Sequence, residues 1–228
     1  MHRIDLTSVY VLHTRPFRNT SLIAELFSET HGRISVVARS ARGQKSRYQG
    51  QLQLFTPMLA SWSGNHELKT LGQIELKGMA HQLNQKPLFC GFYLNELLLR
   101  VLHKEDPHPN LFQYYRSSLL QLESNESMHA VLRLFEKKLL EELGFGLPLH
   151  REAEKNTPLC QDVFYDYIPA QGFYPSSNGL FCGRDLLAIA SENFRDESTQ
   201  QAAKRLMRFA LAPVLGEKPL NSRALFAS

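Results

Sequence analysis

The hydrophobic period of this chain changes once, near His81, and that change limits the fold to strands followed by helices. Upstream, residues 9–13, 22–27, 33–38, 52–62 and 68–76 are short runs rich in β-branched and aromatic residues. Arg18-Asn19-Thr20, Gly32 and Ser63-Gly64-Asn65 supply turns between them. Pro57 inside the fourth run signals an edge position or a bulge, because proline cannot donate to a strand ladder. Five strands in so short a stretch suit a small closed barrel, and an OB-like Greek key is the natural candidate. Downstream, residues 88–103 are apolar on most faces and read as the buried centre of a helical bundle. Residues 111–122 and 128–143 follow as amphipathic helices, the second with Leu132, Phe135 and Leu139 as its stripe and Gly144 as its stop. Residues 145–183 read as irregular, and helices over 185–190 and 198–215 close the chain. The expectation is an α+β protein. A five-stranded OB-like barrel for nucleic-acid binding occupies residues 1–80, and an α-helical domain with the irregular segment occupies residues 81–228.

Charge is distributed unevenly over these two parts. The formal net charge is +4, yet residues 1–80 hold ten Lys/Arg against five Asp/Glu while the remainder is nearly balanced. Within residues 31–50, Arg33, Arg39, Arg42, Lys45 and Arg47 occur with no acidic residue. A basic stripe confined to one segment is the electrostatic footprint expected for a polyanion, since each phosphate neutralised releases condensed counterions. A solvated basic loop has the same composition, so charge alone leaves both readings open.

Enzymatic arrangements are missing from the sequence. Gly43-Gln44-Lys45-Ser46 lacks the glycines that let backbone amides wrap a phosphate. Gly144-Phe145-Gly146 lacks the third glycine of a dinucleotide fingerprint. Neither a Gly-x-Ser-x-Gly elbow nor a His-Glu-x-x-His pair occurs. Cys90 falls on the apolar helix and reads as a small core residue. Cys160 and Cys182 stand without a Cys or His two to four residues away, and His150 is the third potential ligand in their segment. Structural zinc commonly uses two close pairs, so neither a metal nor another cofactor is expected. No apolar run approaches the ~20 residues that span a bilayer. Met1-His2-Arg3-Ile4-Asp5 has no apolar stretch behind its basic residue, and the few scattered cysteines suit a reducing cytoplasm.

The aromatics of the first part divide into core and surface candidates. Phe27 and Phe55 are assigned to the core. Phe17, between Arg15 and Arg18, and Tyr48, beside Arg47, are the candidates for stacking on bases, with barrel filling as the alternative for each.

Several stretches in order resemble the RecO family of bacterial recombinational repair mediators. They are Tyr10-Val11-Leu12-His13-Thr14-Arg15-Pro16-Phe17, Gly32-Arg33-Ile34, Ala38-Arg39-Ser40-Ala41-Arg42, Gly91-Phe92-Tyr93-Leu94-Asn95-Glu96-Leu97, and Leu215-Gly216-Glu217-Lys218-Pro219-Leu220-Asn221-Ser222-Arg223. The resemblance implies a non-enzymatic protein that anneals complementary strands without ATP. It also implies that the protein acts with RecR to load recombinase onto DNA coated by single-strand-binding protein. Its partners would be single- and double-stranded DNA, RecR and the C-terminal tail of single-strand-binding protein, in the nucleoid-associated cytoplasm. The family's basic barrel surface maps onto Arg33, Arg39 and Arg42, and loosely onto Lys45 and Arg47. Its partner-tail site maps onto Arg133, with Lys137 one turn along, although ion pairs with Glu136 or Glu141 would equally account for those two. Family members with a Cys-x-x-Cys arrangement bind zinc, and this sequence resembles the zinc-free branch. Lys218 and Arg223 receive no role. An OB surface does not by itself separate DNA from RNA, so an RNA-binding or translation-associated module is the second class of function.

Overall fold

The computed structural model describes residues 3–43, 46–124 and 126–226. Packing divides the chain into two compact units, Met1–Ser124 with Leu220–Ser228, and Asn125–Pro219. In the first, β1 (Arg3–Phe17), β2 (Ser21–Ser28), β3 (Gly32–Ala38), β4 (Met58–Ser63) and β5 (Leu68–Leu76) close into a barrel in the order β1-β2-β3-β5-β4. The β3–β5 pairing is parallel and the others are antiparallel. The five-stranded barrel expected from the sequence is therefore present. Two strands differ in extent. β1 runs far beyond residues 9–13 because its first half pairs with β4 and its second half with β2. β4 starts only at Met58, since Phe55 has φ 58° and Pro57 cannot donate to the ladder.

Alternation along the strands fills the barrel with Val9, Val11, Ala24, Leu26, Ile34, Val36, Met58, Ala60 and Trp62. The opposite face of β1 and β2 is buried as well. Tyr10 and Phe27 pack on Phe112 and Tyr115 of α2 (Pro109–Glu123), with ring centroids 5.1–6.2 Å apart. Burial on both faces explains the unbroken apolar run Val9-Tyr10-Val11-Leu12. Burial also pushes the Tyr10 phenol up to about 12. α1 (Lys86–Val101) carries Asn95 into this layer, where its amide donates to the Leu12 carbonyl at 2.9 Å and accepts from the Tyr115 hydroxyl at 2.6 Å. A change of period at residue 80 thus separates element types, whereas the compact unit extends through α2 because the barrel's outer apolar face requires a cover.

The end of the chain belongs to the first unit through Glu96. Its carboxylate accepts from the backbone N–H groups of Asn221 and Ser222, both at 2.8 Å, and from the Ser222 hydroxyl at 2.6 Å. Burial opposes ionisation of Glu96, but these hydrogen bonds outweigh it and hold the carboxyl below its usual range.

The second unit contains α3 (Met128–Glu142), α4 (Gly183–Ala190) and α5 (Glu197–Leu215), with α5 packed on both of the others. The Ser127 hydroxyl caps α3 by accepting from the Ala130 N–H at 3.5 Å. Residues 145–183 are more regular than the sequence suggested. They hold an antiparallel sheet of β6 (Phe164–Ile168), β7 (Gly172–Pro175) and β8 (Phe181–Cys182), ordered β7-β6-β8. Tyr165, Phe173 and Phe181 are its buried side chains.

Candidate nucleic-acid interface

The basic loop after β3 is shaped by one buried tyrosine. Tyr48 is 4% exposed, and its hydroxyl donates to the carbonyls of Leu71 and Gly72 at 2.9 and 3.0 Å. Inserted into the barrel core, it pins residues 46–51 through a chain of turns. The Arg47 guanidinium lies 4.7 Å from the ring centroid and donates to the same hydroxyl. Tyr48 is therefore a loop anchor, and the expectation that it stacks on bases is corrected: a ring inside the barrel has no face to present.

This anchoring brings two loops together at one end of the barrel. The Arg42 N–H donates to the Thr20 carbonyl at 2.8 Å, joining the loop after β3 to the β1–β2 turn. Phe17 pairs with Ser21 and Leu22 with Ala38, so the end of β1, the start of β2 and the end of β3 share that end. Arg15, Arg18, Arg39, Arg42 and Arg47 are all exposed there, and none has a carboxylate partner among the described residues. Lys45, expected in the same group, lies outside the described residues. Phe17 is half-buried with the Arg18 guanidinium 5.2 Å from its centroid, so one face of the ring is already occupied.

Arg33 is the member of the predicted set that the fold removes. Its guanidinium is 3.5 Å from Glu25 and donates to the Leu99 carbonyl, with the side chain 18% exposed. The pairing partner arrives from the neighbouring strand, so the positive charge is consumed in the structure. Arg15 and Arg18 take its place at the surface. The sequence signal for them was their position flanking Phe17, which had been singled out for its ring.

On α3, Arg133 is 11% exposed and pairs with Glu136 at 2.8 Å, while Glu136 is 1% exposed. Lys137 is 8% exposed and donates to the Ile189 and Ala190 carbonyls and to Glu192, at 3.5, 3.0 and 3.1 Å. It thereby satisfies the last carbonyls of α4 and opposes the negative end of that helix. Burial disfavours the Glu192 carboxylate, but hydrogen bonds from Lys138 and Lys137 prevail and hold it below the usual range. Leu132, Phe135 and Leu139 are core residues, so that stripe faces the interior of the unit. An open groove of about 690 Å³ instead borders the start of α3, lined by Ser127, Ala130, Phe194, Arg195 and Gln200 among others. Burial, with Arg133 and Lys204 nearby, holds the His129 imidazole below its ordinary range.

Cys160 is exposed, with its sulfur 3.9 Å from the Pro158 carbonyl, and the Cys182 sulfur lies 3.4 Å from the Gln161 carbonyl. No group of three or more His, Cys, Asp or Glu is placed to hold a metal among the described residues. Likewise, no described helix is long and apolar enough to cross a membrane.

Comparison with known proteins decides the family. Residues 1–80 match the family described as recombination protein O N terminal, and residues 86–224 match recombination protein O C terminal. The chain belongs to the RecO family. A Coxiella burnetii protein named DNA repair protein RecO is 49% identical over 227 residues, covering 98% of each chain. Proteins of the same name from Actinobacillus succinogenes and Haemophilus influenzae are 45% and 44% identical. Those alignments span 96% and 97% of this chain and 93% and 95% of theirs. The RecO matches span both compact units, so barrel and helical regions belong together in one family architecture.

Proposed function

We propose that this chain is a non-enzymatic DNA-binding mediator of recombinational repair that anneals complementary strands through the basic end of its barrel. The observation that carries the reading is the group of five exposed arginines without carboxylate partners among the described residues, held by the Tyr48 anchor and the Arg42–Thr20 bond. Annealing requires that the repulsion between two phosphate backbones be relieved while the bases remain available. Arginines at loop ends do this, because they contact phosphate and carry no base information. Family membership supports the wider role: action with RecR, on DNA coated by single-strand-binding protein, in the cytoplasm. Residues 1–80 serve as the nucleic-acid-binding part. The acidic tail of single-strand-binding protein would seat its apolar end in the groove beside Ala130 and its carboxylate on Arg133, one turn along α3.

Changing Arg39 and Arg42 together to Ala is expected to weaken DNA binding about tenfold, similarly for unrelated sequences. It should also flatten the salt dependence by about 1.4 in log K per log salt, at ~0.7 for each phosphate contact on a single strand. Anisotropy titrations over a salt series, with DNA and RNA oligonucleotides in parallel, read both quantities. An unchanged slope in the folded double variant moves the site elsewhere, and a clear preference for RNA replaces the repair reading with the translation-associated one.

The chain is also proposed to be of the zinc-free branch, with no cofactor, because two separated cysteines and His150 fall short of a four-ligand shell. Protein purified without chelator is expected to contain well under one zinc per chain by elemental analysis, and chelation should leave its far-ultraviolet dichroism unchanged. Stoichiometric zinc lost together with structure would reverse this.

A further inference from the structure

Helix α5 carries a surface that the barrel site does not explain. Its buried side is Thr199, Ala202, Ala203, Leu206, Met207, Ala210 and Leu211. The opposite side exposes Gln201, Lys204, Arg205, Arg208, Phe209 and Ala212. At 100° per residue these six form one continuous face, and no acidic residue follows Glu197 until Glu217, beyond the helix. None of the three cations has a carboxylate partner among the described residues, although surface helices ordinarily balance such charges at i, i+4. Arg205 is steered by a hydrogen bond to the Leu180 carbonyl at 3.5 Å. Phe209 is 41% exposed and meets Phe181 in a T-shaped pair with centroids 6.3 Å apart, so the ring is held on one side while a large part of it stays open to solvent.

We infer that this face of α5 is a second strand-binding surface, on which Lys204, Arg205 and Arg208 take backbone phosphates and Phe209 takes a base. The shape selects this partner over an acidic peptide end, which needs a recess for its terminal apolar side chain. The face is a row of exposed side chains, and Gln200 is the one α5 residue among those lining the groove at the start of α3. Lys204 and Arg208 stand one turn apart, about 6 Å, which is of the order of the spacing between successive phosphates of an extended strand. An aromatic beside cations is the sequence-tolerant recipe for single strands. The inference rests on the annealing function proposed above and deepens it: one strand sits on the barrel and the complement on α5, so both are held by a single chain.

The test uses the full-length Lys204→Ala/Arg208→Ala variant, which alters two solvent-exposed side chains and leaves the Arg205 contact intact. A fluorophore-labelled single-stranded oligonucleotide and its labelled complement are the probes. The first-strand affinity is expected to stay within about twofold. The number of oligonucleotides bound per chain at low salt should fall from two to one, and the annealing rate should drop about tenfold. The charge-conserving Lys204→Arg/Arg208→Lys variant should restore both. Unchanged stoichiometry and rate in the alanine variant overturn the inference. So does loss of single-strand-binding protein capture with annealing intact, which would assign the ridge to a protein partner. Failure of the unaltered chain to anneal would instead count against the proposed function, while the stoichiometry would still report on α5.

Discussion

Replacing Gly32 by Ala is expected to destabilise the barrel unit by about 4 kcal/mol, combining backbone strain with a steric clash. Gly32 opens β3 with φ +67°, a conformation that costs a residue bearing a Cβ about 1–2 kcal/mol. A Cβ built there would also lie 1.9 Å from the Asp106 carbonyl oxygen, so backbone must move. The segment it would displace is docked on β3, with the Glu105 N–H donating to the Arg33 carbonyl at 3.0 Å and Lys69 paired to Glu105 at 2.8 Å. Gly50 supplies the control. Its φ is +73° but nothing lies within 4 Å of an added Cβ, so Gly50→Ala should show the backbone cost alone. Urea unfolding followed by the chain's single tryptophan reads both variants, since Trp62 is 3% exposed inside the barrel. Equal midpoint shifts for the two glycines would show that the contact with Asp106 relaxes freely.

The same strand shows what the sequence reveals and what it conceals. The switch of period placed five strands before the helices because side-chain alternation is a local property, and the barrel interior follows it residue by residue. The exposure of Arg39, Arg42 and Arg47 is legible for a related reason: they lie in a loop, where charge without a nearby acid stays at the surface. Arg33 lies on a strand, and its fate depends on Glu25 across the β2–β3 ladder and on a carbonyl of α1. Neither partner is near it in the chain. The burial of Tyr48 escapes the sequence on the same ground, since only closure of the barrel places the Leu71 and Gly72 carbonyls where its hydroxyl can reach them. The sheet in the second unit is hidden from the sequence although Tyr165 is fully buried and Phe164 and Ile168 are exposed, with Asp166 and Tyr167 half-buried between them. Strands of five, four and two residues among prolines give a period signal too short to separate from loop.

Arg133→Ala is expected to destabilise the helical unit by about 3–5 kcal/mol, because it strips a guanidinium from a carboxylate that is 1% exposed. Joint replacement of Arg133 and Glu136 by Met should recover most of that loss, since apolar residues of similar volume often replace a buried ion pair without penalty. Amide hydrogen exchange along α3 measures the effect, while Trp62 emission, which reports the barrel, should not change. This cycle also decides how the tail of single-strand-binding protein is held. Arg133 can receive a peptide carboxylate only by giving up part of its bond to Glu136, so the two acids compete for one guanidinium. Glu136→Gln removes the competitor's charge and keeps its shape and hydrogen-bonding oxygen. If Arg133 is the tail's cation, that variant should bind the tail peptide several-fold more tightly, and the double Met variant should bind it at least tenfold more weakly while remaining folded. Peptide affinity that is indifferent to both changes would leave Arg133 as the neutralising partner of Glu136 alone. The exposed Arg195, which borders the groove beside Phe194, would then be the cation nearest the tail.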